Sequence, residues 1–141
     1  MSWLLDTDVL CQPVKKYGNS SVIAWLEREQ ENCYTSATVI AQVAYWVRTK
    51  HGRTQERLQD WLTQSIRVLE GRILAFNVAT AHVWADQKFL LEQDGKPMPV
   101  EDSYIAATAR RHDLTIVTGN DKDFRRPGLK VFNPFKELPS E

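Results

Sequence analysis

The sequence predicts an α/β fold, a mostly parallel sheet with helices on both faces. Three observations lead there. Short apolar runs alternate with longer segments of helical spacing, which implies parallel strands joined by helical crossovers. The chain has 141 residues, enough for one domain with a core of its own. Acidic residues stand just after two of the apolar runs, where open α/β sheets place their sites.

The elements follow in order. Trp3 to Leu5 read as a short buried strand. Ser20 to Glu29 read as a helix, with Val22, Ile23, Trp25 and Leu26 apolar and Ser20 or Ser21 as its cap. Cys33 to Thr35 form a second strand. Ala37 to Lys50 form a helix with Val39, Val43 and Trp46/Val47 at core spacing, ended by Gly52. Thr54 caps a helix to Val68, with Leu58, Trp61, Leu62 and Ser65/Ile66 on one side. Arg72 to Phe76 form a strand. Thr80 to Gln93 form a helix bearing Val83, Trp84 and Leu90/Leu91. Asp94-Gly95-Lys96-Pro97 is turn chemistry. Val100 to His112 form a helix opened by Glu101 and Asp102. Leu114 to Val117 and Leu129 to Phe132 are the last strands.

Composition excludes several classes. Hydrophobic content is 43% and charged content 26%, ordinary for a globular domain. Lys+Arg and Asp+Glu are both 18, which argues against a protein that coats nucleic acid non-specifically. No run approaches the ~18 apolar residues of a membrane span. An acid at Asp6 interrupts what a secretory leader would need, so a cytoplasmic location is expected. Cys11 and Cys33 lack disulfide-framework or zinc spacing and read as reduced core residues. His51, His82 and His112 show no ligand spacing. Trp25, Trp46, Trp61 and Trp84 read mostly as core.

The stretch LLDTDVL sets two acids, Asp6 and Asp8, against an apolar run, and acids so placed need partners. Asp6 follows the first strand. Asn120, Asp121 and Asp123 follow LTIV. Asp102 opens the helix leading into LTIV. These clusters are predicted to converge at one sheet edge. Each acid alone is equally a helix cap, a turn former or a solvated loop residue. Together they would repel and raise one another's pKa, a strain that a hard divalent cation relieves. Oxygen-only ligands suit Mg²⁺ or Mn²⁺, and a metal-bound water is a competent nucleophile toward phosphates. With no obvious serine or cysteine nucleophile, the set suggests phosphodiester hydrolysis.

LLDTDVL and VEDSYIAATARRHDLTIVTGNDKDF, with the spacing from Trp84-Ala85 through Leu91 and Gly95 to Asp102, resemble the PIN-domain ribonuclease toxins of the VapC type. The likeness covers nearly the whole chain, read as one PIN domain over residues 1–141. It implies a PIN-like three-layer sandwich and a Mg²⁺- or Mn²⁺-dependent endoribonuclease of a type II toxin–antitoxin system. It further implies an RNA substrate, a homodimer and a cognate VapB-type antitoxin. By position, Asp6, Asp102 and Asp123 match the family's acids, while Thr118 and Asn120 match polar residues that shape the cleft, with Thr7 beside Asp6.

One departure stands out. Where the family carries a glutamate early in the helix after the second strand, VIAQVAYWV has Gln42, an uncharged amide that cannot act as a base. Asp8 stands where the family has Asn or Ser, so it is a candidate metal ligand that restores the charge. Trp46 occupies a position where the family often has a small residue and is a candidate to line a partner groove. Arg110, Arg111, Lys122, Arg125 and Arg126 are the candidate RNA-backbone contacts, since phosphate contacts position nucleic acid; a solvated basic face is the alternative. Rival functions are a PIN domain that binds RNA or antitoxin without efficient cleavage, a DNA-directed or flap-type nuclease of the same superfold, and a haloacid-dehalogenase-type phosphatase. The last needs Gly-Thr after its Asp-x-Asp motif, whereas Asp6-Thr7-Asp8 continues Val-Leu.

Overall fold

The computed structural model describes residues 1–138. Strands β1 (Trp3–Leu5), β2 (Cys33–Ser36), β3 (Ile73–Leu74), β4 (Thr115–Val117) and β5 (Val131–Phe132) form one sheet. Every pairing is parallel and the order is β3-β2-β1-β4-β5. The helices are α1 (Thr7–Leu10), α2 (Ser20–Glu29), α3 (Ala37–Arg48), α4 (Gly52–Val68), α5 (Val78–Gln93), α6 (Val100–His112), α7 (Asp121–Phe124) and α8 (Pro134–Glu137). Short 3₁₀ turns span Gln12–Val14 and Gln30–Asn32. Among the described residues, no helix is long and apolar enough to cross a membrane.

From β1 the chain builds outward through β2 and β3, then returns to the other side of β1 for β4 and β5. The strand order therefore reverses between β1 and β4, and open α/β sheets have a crevice at the carboxyl ends there. Leu4 and Ile116 are fully buried at this centre. Val39, Val43 and Val47 bury one stripe of α3 at four-residue spacing. In α6, Ile105, Ala106, Ala107 and Ala109 are buried, and the three small alanines let the helix backbone approach its neighbours closely. Trp3, Trp25 and Phe132 form an aromatic cluster with ring centroids 5.2 to 5.6 Å apart.

Several local expectations need correction. The cap of α2 is Asn19, whose Oδ1 accepts the Val22 N–H at 3.0 Å, not Ser20 or Ser21. The fourth helix begins at Gly52 rather than Thr54, and Gly52 (φ +58°) makes the corner that follows α3 instead of only ending it. The fifth begins at Val78, capped by Asn77. Leu91 is buried as read but Leu90 is exposed, and that helix also buries Thr80 and Gln87. Among the tryptophans, Trp25 is buried whereas Trp46, Trp61 and Trp84 are only partly so. The strands at Ile73–Leu74 and Val131–Phe132 are shorter than expected because only those residues pair. α1, α7 and α8 were not expected: four residues are too few to show a helical period. Cys11 and Cys33 are free and buried, as expected, and burial pushes their thiols up to about 11 and about 12.

Candidate active site at the carboxyl edge of the sheet

Leu5 pairs with Val117 across the β1–β4 junction, so the next residues, Asp6 and Thr118, come side by side. The Thr118 hydroxyl donates to Asp6 Oδ2 at 2.8 Å. Asp6 Oδ1 accepts the Thr7 N–H at 2.8 Å, capping α1. Thr118 Oγ1 also accepts the Asn120 N–H at 3.0 Å, which ties the loop after β4 to the same point. Asp6 is buried, and desolvation raises its pKa. The Thr118 hydroxyl opposes that rise, the Asp8 charge adds to it, and the Thr7 amide opposes it again.

Asp102 enters from the first turn of α6. Its carboxyl is pushed up to about 6, first by burial and then by the charges of Asp6 and Asp123. A hydrogen bond shared with Asp123 and the charge of Glu101 raise it further. Asp123, in α7, has its Oδ2 held by Asn120 Nδ2 at 2.8 Å. Asp6 and Asp123 thus lie close enough to Asp102 for their charges to raise its carboxyl. Asp121 is different: Asn133 Nδ2 at 3.1 Å and Arg125 Nε at 3.1 Å hold its carboxyl below the usual range, so it anchors α7.

Gln42, on α3, bridges two elements. Its Oε1 accepts from the Thr7 hydroxyl at 2.6 Å, and its Nε2 donates to Glu101 Oε2 at 3.3 Å. Glu101 therefore faces the site, a role that sequence reasoning missed. Its adjacency to Asp102 was the available signal, but it read only as a helix-opening acid. Asp8 accepts the Gly119 N–H through Oδ2 at 2.8 Å. A Cβ at Gly119 would lie 2.6 Å from that oxygen and 2.9 Å from the Phe135 ring, so the loop after β4 approaches Asp8 more closely than any side chain permits. Asp8 Oδ1 is buried with no hydrogen-bond partner, and burial raises this carboxyl's pKa too.

Among the described residues, no three His, Cys, Asp or Glu side chains already stand in a metal-ligand arrangement. The acids are held by hydroxyl, amide and carboxyl neighbours instead. The donor set still fits a hard divalent cation. It is all oxygen, Asp102 is raised by like charge, and one buried carboxylate oxygen of Asp8 lacks a partner.

Most of the predicted basic residues have internal partners. Arg110 donates to Gln87 Oε1 at 2.7 Å and to the Pro127 carbonyl at 2.9 Å. Arg126 donates to the Lys96 and Pro97 carbonyls at 3.1 and 2.9 Å. Arg125 pairs with Asp121 and, at 3.5 Å, Glu137. Arg111 reaches Thr80 Oγ1 at 3.4 Å. Lys122 is exposed, one residue from Asp123.

A parallel α/β sheet with acids gathered at its order reversal defines a structural class. Within that class the chain matches the PIN domain over residues 3–129, and it belongs to that family. The toxin FitB of Neisseria gonorrhoeae is 36% identical over 137 residues, covering 95% of this chain and 99% of that protein. The VapC ribonuclease Y4jK of Sinorhizobium fredii is 29% identical over 136 residues, covering 94% and 97%. A solved structure of FitAB bound to an IR36 DNA fragment superposes with a TM-score of 0.90 at 32% identity, covering 99% of both chains. The expected layered α/β architecture is therefore that of its structural relatives.

Proposed function

We propose that this chain is a metal-dependent endoribonuclease, the toxin component of a type II toxin–antitoxin pair, acting as one PIN domain. The carrying observation is the meeting of Asp6, Asp102 and Asp123, with Asp102 raised to about 6 by burial and by its acidic neighbours. The toxin and ribonuclease names of the relatives support the same reading.

Asp6, Asp102 and Asp123 would hold Mg²⁺ or Mn²⁺, with Asp8 and the Gln42 carbonyl oxygen as supplementary donors. A bound ion of this kind supplies an acidified water and charge stabilisation on phosphate oxygens. Thr118 and Thr7 fix the orientation of Asp6, and Asn120 fixes that of Asp123. Lys122 stands near enough in sequence to Asp123 to meet a phosphate. Arg110, Arg111, Arg125 and Arg126 would contribute as RNA contacts by exchanging present partners for phosphate. A VapB-type antitoxin, a homodimeric state and a cytoplasmic location belong to this reading, and the pairing of a FitB-like chain in FitAB supports the first.

The test is cleavage of RNA by the purified chain with Mg²⁺ or Mn²⁺, set against EDTA and Asp102→Asn. Cleavage that needs the ion and disappears in the variant is expected. Cleavage indifferent to either would refute the assignment. A second reading, a domain that binds RNA or antitoxin with weakened cleavage, is favoured specifically by Gln42 at the family's glutamate position. Ion-independent RNA binding with no cuts in any RNA would select it.

A further inference from the structure

A groove of about 470 Å³ lies where the 3₁₀ turn Gln12–Val14 and the residues after it meet the end of α3 and the start of α4. Its lining includes Lys15, Lys16, Lys50 and Arg57 together with Tyr17 and Trp46, and no acid. None of the four cations has a carboxylate within salt-bridge reach among the described residues. Lys50 lies over the Trp46 ring at 5.4 Å and Lys16 over Tyr17 at 5.5 Å. Tyr17 is 87% exposed, so its ring is open to a ligand. The groove is joined to the acidic site. Gln12 donates to the Asp8 carbonyl at 3.0 Å, and the Lys15 N–H donates to the Gln12 carbonyl at 3.3 Å.

We infer that this groove binds single-stranded RNA, leading the strand to the acidic edge of the sheet. Unpaired cations along a channel meet successive phosphates, and exposed aromatic faces stack bases without regard to sequence. An acidic protein segment would use the cations but would leave the rings without the flat partners that bases provide. The groove carries the phosphate-binding role for which Arg110 and Arg111 of α6, and Arg125 and Arg126 just after α7, are poorly free. The inference draws its substrate class from the ribonuclease reading but is tested apart from it.

Binding of a short fluorescent single-stranded RNA is measured in EDTA, where the proposed cleavage does not proceed, over a range of salt. For the Lys50→Gln/Arg57→Gln double variant, weaker binding is expected, with the slope of log affinity against log salt reduced by about 1.4, at ~0.7 per phosphate contact. For Tyr17→Ala, a loss of at least about fivefold is expected. Lys88→Gln, a paired cation on α5, serves as the control for charge alone and leaves both quantities unchanged. All these side chains lie at the surface, so melting temperatures report any loss of folding. Groove variants with wild-type affinity and slope overturn the inference. So does wild-type protein that binds no single-stranded RNA, or variants that lose an acidic protein partner while keeping RNA. Asp102→Asn separates the two readings, since it removes cleavage while the groove variants made in its background still lose RNA affinity in EDTA.

Discussion

Replacing Asp102 with asparagine should make the metal-free protein more stable while removing its activity. In the fold this carboxyl holds its proton to about 6, against 3.8 for an unperturbed aspartate. Between those pH values the folded state binds more protons than the unfolded one. The stability associated with Asp102 is therefore complete below pH ~4 and is lost as pH rises through about 6. An offset of this size is worth at most about 3 kcal/mol. Asp102 is only half-buried, so solvent screening reduces that to ~1–2 kcal/mol. Asparagine has nearly the same shape and does not ionise. In EDTA above pH ~6, Asp102→Asn should melt roughly 3 to 6 °C higher than wild type, and the advantage should vanish below pH ~4. Adding Mg²⁺ or Mn²⁺ should reverse the order, because an ion that binds only the folded wild type stabilises it by mass action. Thermal melts across pH, with and without the ion, read both effects. A variant no more stable than wild type at pH 7 in EDTA would show that Asp102 is not strained by its acidic neighbours.

Three further outcomes follow from the geometry. Gly119→Ala should destabilise by about 1–3 kcal/mol in a denaturant titration, since its Cβ would meet Asp8 Oδ2 at 2.6 Å and the Phe135 ring at 2.9 Å. Arg110→Ala should cost about 1–3 kcal/mol of stability in a denaturant titration by leaving the buried Gln87 Oε1 without its donor. Exchanging Gln42→Glu with Asp8→Asn should leave Mn²⁺ affinity roughly unchanged by calorimetry if total charge governs binding. A large additional loss would point to the bond between Asp8 and the Gly119 amide as the greater contribution.

The alternation of apolar runs and helical segments was enough to place the main strands and the five long helices, because burial imposes its period directly on residue choice. That Asp6 and Asp123 come near Asp102 was also legible, since strand ends and helix starts are where an α/β sheet presents side chains. The short helices α1, α7 and α8 were not, because four residues carry no period and are held by caps such as Asp6 and Asn133. The jobs of the arginines were hidden as well. A charged side chain in sequence looks the same whether it faces solvent or bonds a carbonyl about thirty residues away, as Arg126 does with Lys96 and Pro97.

Sequence by itself determined which atoms are present: four acids, an amide where a charge was expected, and apolar runs able to carry them. Only the tertiary structure decided which of them touch. The β1–β4 register puts Thr118 on Asp6, and the packing of α3 near α6 puts Gln42 against Glu101. Such contacts join residues more than fifty positions apart. Local preference has no reach over that separation, and it is the burial of the shared core that closes it.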